Sequence, residues 1–109
     1  MSALATSHNP EAQQIAETIL TQIGGRRALV MIGGKAHYGS NGELNIRFRA
    51  KARFGINHIL ISLNGNDLYD VQFLQVRGAT VKAKAKLSDI GCETLKSEIE
   101  ATTELYLSL

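Results

Sequence analysis

The sequence predicts a two-layer α+β domain. Its parts are a mainly antiparallel five-stranded sheet, an N-terminal helix and a C-terminal helix, in the order α-β-β-β-β-β-α. Three observations lead there. Residues 56–76 hold two alternating apolar runs, Ile59, Ile61, Leu63 and Tyr69, Val71, Phe73, joined by Asn64-Gly65-Asn66-Asp67. A period of two sets each trio on one side of a pleated sheet, and Asn-Gly tolerates positive φ, so the pair reads as a hairpin. Segments near both ends follow the 3.6-residue period of amphipathic helices instead. The links between segments are short, which favours antiparallel neighbours.

Taken in order, Met1 to His8 is small and polar and reads as a loose N-terminus ahead of a single domain over residues 9–109. Asn9-Pro10-Glu11 starts a helix. Asn caps, Pro fits the first helical position, and Glu suits the positive end of the dipole. Ala12, Ile15, Ala16, Ile19, Leu20 and Ile23 make its apolar stripe, and Gly24-Gly25 ends it. In Arg26 to Ile32, Ala28, Val30 and Ile32 alternate with the equally apolar Leu29 and Met31, which predicts a short strand covered on both sides or close to the helix. Gly33-Gly34 ends that strand, and Lys35 to Tyr38 leads into the turn cluster Gly39-Ser40-Asn41-Gly42.

From Leu44 to Ala50 the alternation is clean, with Leu44, Ile46 and Phe48 inward and Asn45, Arg47 and Arg49 outward. Lys51 to Gly55 is a basic connection into the hairpin. Thr80 to Leu87 is the last strand, with Val81, Ala83, Ala85 and Leu87 inward and Lys82, Lys84 and Lys86 outward. Ser88-Asp89 caps the second helix, which turns Cys92, Leu95, Ile99 and Tyr106 inward and weakens at Thr102-Thr103. Leu105 to Leu109 is then a tail packed on the core or on a partner.

With 109 residues, 44% hydrophobic and 20% charged, the chain has the composition of a soluble globular protein. Its single cysteine, Cys92, excludes an internal disulfide. The first fourteen residues have no cationic start and no apolar run, so no signal peptide is expected, and a cytoplasmic setting fits. No window approaches the roughly 18–20 apolar residues of a membrane span. The net charge of +2 conceals an uneven distribution. Residues 26–53 hold seven Arg or Lys against Glu43, residues 77–86 add four cations and no acid, and residues 87–109 hold five acids against Lys96.

The outward cations are the sharpest functional signal. Arg47 and Arg49 on one strand and Lys82, Lys84 and Lys86 on another are expected to project from the face the helices leave open, with Lys51 and Arg53 extending the patch. Such a stripe suits the neutralisation of phosphates. It is equally the pattern of a solvated strand whose lysines deter edge-to-edge aggregation. Tyr38 and Phe54 are the aromatics placed in loops where they can stack on bases.

Other chemistries find less support. Gly33-Gly34-Lys35 resembles a phosphate loop only superficially. That motif needs Gly where Leu29 stands and Ser or Thr where Ala36 stands. His8, His37 and His58 have no metal-ligand spacing, so neither metal nor cofactor is expected. Asp67 reads as a turn residue and Asp70 as a cross-strand partner of a cation. No Ser-His-Asp or Cys-His arrangement is present, and the expectation is a non-enzymatic protein.

Several segments carry a resemblance. Gln22-Ile23-Gly24-Gly25, then Met31-Ile32-Gly33-Gly34-Lys35, then Leu63-Asn64 with Asp67-Leu68-Tyr69-Asp70-Val71, resemble the QxGG…MxGxK…LNxxDxYDV pattern of a family of small uncharacterised proteins of phages and other mobile elements. The resemblance implies no catalytic residue. It implies a mobile-element setting in a bacterial cell, where two roles suit a small protein. One is binding nucleic acid. The other is inhibiting a host defence complex, in the manner of an anti-CRISPR protein, through protein–protein contact. An exposed sheet edge or the Leu105 to Leu109 tail can support a homodimer.

Overall fold

A computed structural model describes residues 10–105 and 107. The elements run α1 (Pro10–Gln22), α2 (Gly25–Ile32), β1 (Lys35–Tyr38), β2 (Leu44–Arg47), a short 3-10 turn (Arg53–Gly55), β3 (His58–Leu63), β4 (Tyr69–Arg77), β5 (Thr80–Ile90) and α3 (Leu95–Thr103). The five strands form one antiparallel sheet in chain order. Helices at both ends of the chain complete an α+β fold. The segment expected as a loose N-terminus, the expected Asn9 cap, Tyr106 and the last two tail positions fall outside the described residues.

One core joins the layers. Leu44, Ile46, Ile59, Ile61, Val71 and Phe73 from one sheet face meet Ile19 and Leu20 of α1, Ile23 just past its end, Ala28 and Ile32 of α2, and Leu95 and Ile99 of α3. Along β2, β3 and the first half of β4 buried positions alternate with more exposed ones, so every second side chain there reaches this core. The tail contributes too, with Leu105 and Leu107 buried.

The first strand lies later in the chain than the apolar alternation predicts. Arg26 to Ile32, expected as a strand, is helix α2, and the edge strand is Lys35–Tyr38, expected as a turn approach. An apolar run of both parities fits a short helix as well as a strand, and the glycines decide between them. Gly25 (φ 70) lets the chain re-enter a helix immediately after α1. At the far end Gly33 is left-handed (φ 64). Its N–H donates to the Val30 carbonyl, and the Gly34 N–H donates to the Leu29 carbonyl at 2.7 Å. That pair of bonds is a Schellman cap, so Gly33-Gly34 terminates a helix.

Two irregularities in β5 produce further corrections. Phe73 pairs with Ala85 but Leu74 pairs with Ala83, leaving Lys84 as an extra residue in a bulge. One inserted residue reverses the facing of everything beyond it. Val81 and Ala83, expected to face the core, lie on the open face opposite Val76 and Leu74, and Val81 is 59% exposed. Lys82, expected on the open face, pairs with Gln75 on the helix side. A second shift places both Ser88 and Asp89 against Asp70. Ser88-Asp89 is therefore strand rather than helix cap, α3 begins only at Leu95, and Cys92 is exposed rather than turned into the core.

The hairpin between β3 and β4 turns as expected, by different means. Its positive-φ residue is Asp67 (φ 59) rather than Gly65. The Asn64 side-chain oxygen accepts from the backbone N–H groups of Asn66 and Leu68, closing the turn around one side chain.

Candidate functional site: a cationic cleft at one end of the sheet

The register sorts the cations. One end row of the open face reads Lys35, Arg47, His58, Leu74, Ala83, each opposite the next. The row behind it reads His37, Asn45, Leu60, Gln72, Lys86. Beyond the end row the chain carries Arg49, Lys51 and Arg53 in the β2–β3 loop and Arg77 at the β4–β5 turn. Lys82 and Lys84 lie at the same end, so eight of the twelve Lys and Arg residues gather there. Asp67, Asp70, Asp89 and Glu43 sit at the opposite strand ends. Asp70 and Asp89 are held there by Asn64, whose amide donates to both carboxylates at 3.2 and 2.7 Å. The sheet is thus polarised along its strands.

At the basic end, Gly33, Gly34, Lys35, His37, Arg47, Phe48, Arg49 and Asn57 line a cleft of about 690 Å³. Its floor is the glycine cap of α2, where small residues let the backbone form a wall. A Cβ on Gly33 would stand 3.3 Å from that of Arg49. One side is pinned by the Ile32 carbonyl, which accepts from the N–H groups of both Arg49 and Ala50. The other is pinned by Asn57. Its carbonyl accepts from the Phe48 N–H and its N–H donates to the Leu74 carbonyl. Its side-chain amide then pairs with both backbone groups of Val76, at 2.9 and 2.8 Å. Asn57 therefore continues the sheet with its side chain where β3 has not yet begun.

Lys35, Arg47 and Arg49 are exposed, and among the described residues none of them forms an ion pair with a carboxylate. Their positive field is left for a ligand. His58, half-buried behind Arg47, makes a long 3.4 Å contact with the Asn45 side-chain oxygen. Burial, then the charges of Arg47 and His37, push its pKa below the ordinary 6.5. It therefore enters the site as a neutral polar group. The carbonyls of α2 at this end are occupied by its cap and by the loop. Attraction for an anion comes from side chains, not from a helix N-terminus.

The expected site residues divide accordingly. Arg47 and Arg49 line the cleft. Lys51 and Arg53 lie on the loop that leaves it, where the Arg53 guanidinium packs 4.8 Å from the centre of the Phe54 ring. Lys86 is on the open face, three strand spacings across and one row back from Arg47, about 16 Å away. Lys84 occupies the bulge and Lys82 faces the other way. Lys35, His37 and Asn57 were not anticipated. For Lys35 and His37 the missing signal was strand assignment, because a lysine read in a turn has no register with Arg47.

Among the described residues no group of three or more His, Cys, Asp or Glu is placed to hold a metal ion, and no helix is long and apolar enough to cross a membrane. Comparisons with known protein families, with curated proteins and with solved structures find no match for this chain.

Proposed function

We propose that this protein is a non-enzymatic nucleic-acid-binding module that seats backbone phosphate in the Lys35–Arg47–Arg49 cleft. The observation that carries the reading is the convergence of three uncompensated cations, with His37, on one glycine-floored cleft. Guanidinium forks suit phosphate oxygens, and backbone phosphates recur along a strand, so Lys51, Arg53 and Lys86 extend the same track. The mobile-element setting implied by the sequence resemblance suits such a role in a bacterial cytoplasm.

Fluorescence anisotropy with a labelled oligonucleotide across a potassium chloride series tests it. Three to five phosphate contacts on a single strand give a log–log slope of about −2 to −4, and Arg47→Ala reduces its magnitude by about one contact's worth. Salt-insensitive binding, or equal binding by wild type and an Arg47→Ala/Arg49→Ala variant, overturns the proposal.

A second reading has one observation in its favour. Helix α2 exposes Val30, at 80%, and Met31 beside Arg26 and Arg27, along a groove that Leu107 and Lys96 also line. An apolar strip rimmed by cations fits an acidic protein surface, as in an inhibitor of a host defence complex. A salt-resistant complex with a host protein, lost in Met31→Asp but kept in Arg47→Ala, favours that reading.

A further inference from the structure

Resting on the cleft as a phosphate site, we infer that the adjoining loop selects single-stranded nucleic acid by stacking an unpaired base on Phe54. Phe54 is 59% exposed and left-handed, with φ 60 and ψ 16. A bulky residue is disfavoured in that region, and its ring returns no core packing in exchange. The surroundings hold it there. Ile56 is buried, Ala52 packs on the core, and the Ile56 N–H donates to the Arg53 carbonyl. Gly55 is itself left-handed (φ 74), a conformation that favours glycine and fixes the path of the chain past Phe54. A strained backbone that displays an aromatic ring to solvent points to a function for the ring.

Placement and chemistry specify that function. The loop rises from the Phe48–Asn57 hydrogen bond, and both of those residues line the cleft. Phe54 is three residues from Asn57 of the cleft lining, at most about 11 Å between Cα atoms, so a base one or two nucleotides from a phosphate held in the cleft can reach the ring. The Arg53 guanidinium lies against the Phe54 ring at 4.8 Å, and the residue is still 59% exposed to a planar partner. Bases in a duplex are already stacked on each other. A loop aromatic can take only one that is unpaired.

The test compares three labelled probes: an oligothymidylate of about 15 nucleotides, a duplex of the same length, and an abasic strand that keeps the phosphates without the bases. Wild type is expected to bind oligothymidylate more tightly than either control. Phe54→Ala is expected to lose about 5- to 100-fold on oligothymidylate and nothing on the abasic strand. The chain contains no tryptophan, so the indole of Phe54→Trp is a unique reporter. Its emission should be altered by oligothymidylate and not by the abasic strand, with affinity retained. Equal binding of oligothymidylate and the abasic strand, or unchanged affinity in a folded Phe54→Ala, overturns the inference. In that event a loss on both strands in Arg47→Ala still upholds the cleft. No dependence on Arg47 and Arg49, or no binding of any probe, removes both.

Discussion

Asn57 should be worth several times an ordinary surface asparagine. Its side chain makes two hydrogen bonds to Val76, one donated to the carbonyl at 2.9 Å and one accepted from the N–H at 2.8 Å. They join residues 19 apart and tie the entry to β3 onto β4. Truncation in Asn57→Ala leaves a backbone donor and a backbone acceptor without partners. Each such group costs about 1–3 kcal/mol when water cannot replace the lost partner. Val76 is half-buried, so water reaches part of the gap and the lower half of that range applies. The expected loss is about 2–4 kcal/mol, roughly 10–25 °C in Tm for a domain of this size. Asn57→Asp separates the two bonds. The acceptor oxygen survives, while the donor becomes a carboxylate oxygen facing the Val76 carbonyl. Protonation restores the donor, so the folded pKa of the introduced carboxyl is raised above the unfolded value. Stability in Asn57→Asp is then recovered as pH falls and lost as it rises through that folded pKa. Urea denaturation of the three proteins at neutral and acidic pH measures this. A loss in Asn57→Ala below about 1 kcal/mol, with a normal m-value, would refute the bidentate clamp.

Three smaller predictions follow from single contacts. Glu104 ends α3 in the left-handed region (φ 61) and is exposed, so Glu104→Gly should raise stability by about 0.5–1 kcal/mol in thermal denaturation; a decrease contradicts the cap assignment. His58 has a folded pKa below 6.5, so the unfolded chain takes up its proton first as pH falls. The stability tied to neutral His58 is present above pH 6.5 and is lost below it, by at most about 1.4 kcal/mol per pH unit, and His58→Gln should flatten that slope in denaturation measured between pH 8 and 5. Leu107 is 2% exposed, so Leu107→Ala should cost about 2–4 kcal/mol; a loss below 1 kcal/mol would mean the tail is not docked.

What could be read from the sequence was whatever depends on local periodicity. The Ile59/Ile61 and Val71/Phe73 runs face the core as their alternation requires, and α1 buries the stripe from Ala12 to Ile23. Errors arose where one residue changes the geometry. Lys84 enters a bulge and turns Lys82 away from the open face, which no charge pattern discloses. The run Ala28 to Ile32 has no single period, and only the left-handed glycines at its ends make it a helix. The candidate site inherited both errors. It kept Arg47, whose strand was correctly read, and Arg49, which lies just past that strand's end rather than within it, and omitted Lys35, whose strand was not read. Asn57 was beyond reach because its role is to imitate a backbone, and no residue pattern marks that.

Amide chemical-shift mapping of the isotope-labelled protein during titration with oligothymidylate examines the binding account most directly. The largest changes are expected at Gly33, Gly34, Lys35, Arg47, Arg49, Phe54 and Asn57, fading as salt is added. Changes centred on Val30 and Met31, or on the acidic turn from Asn64 to Asp70, would contradict it.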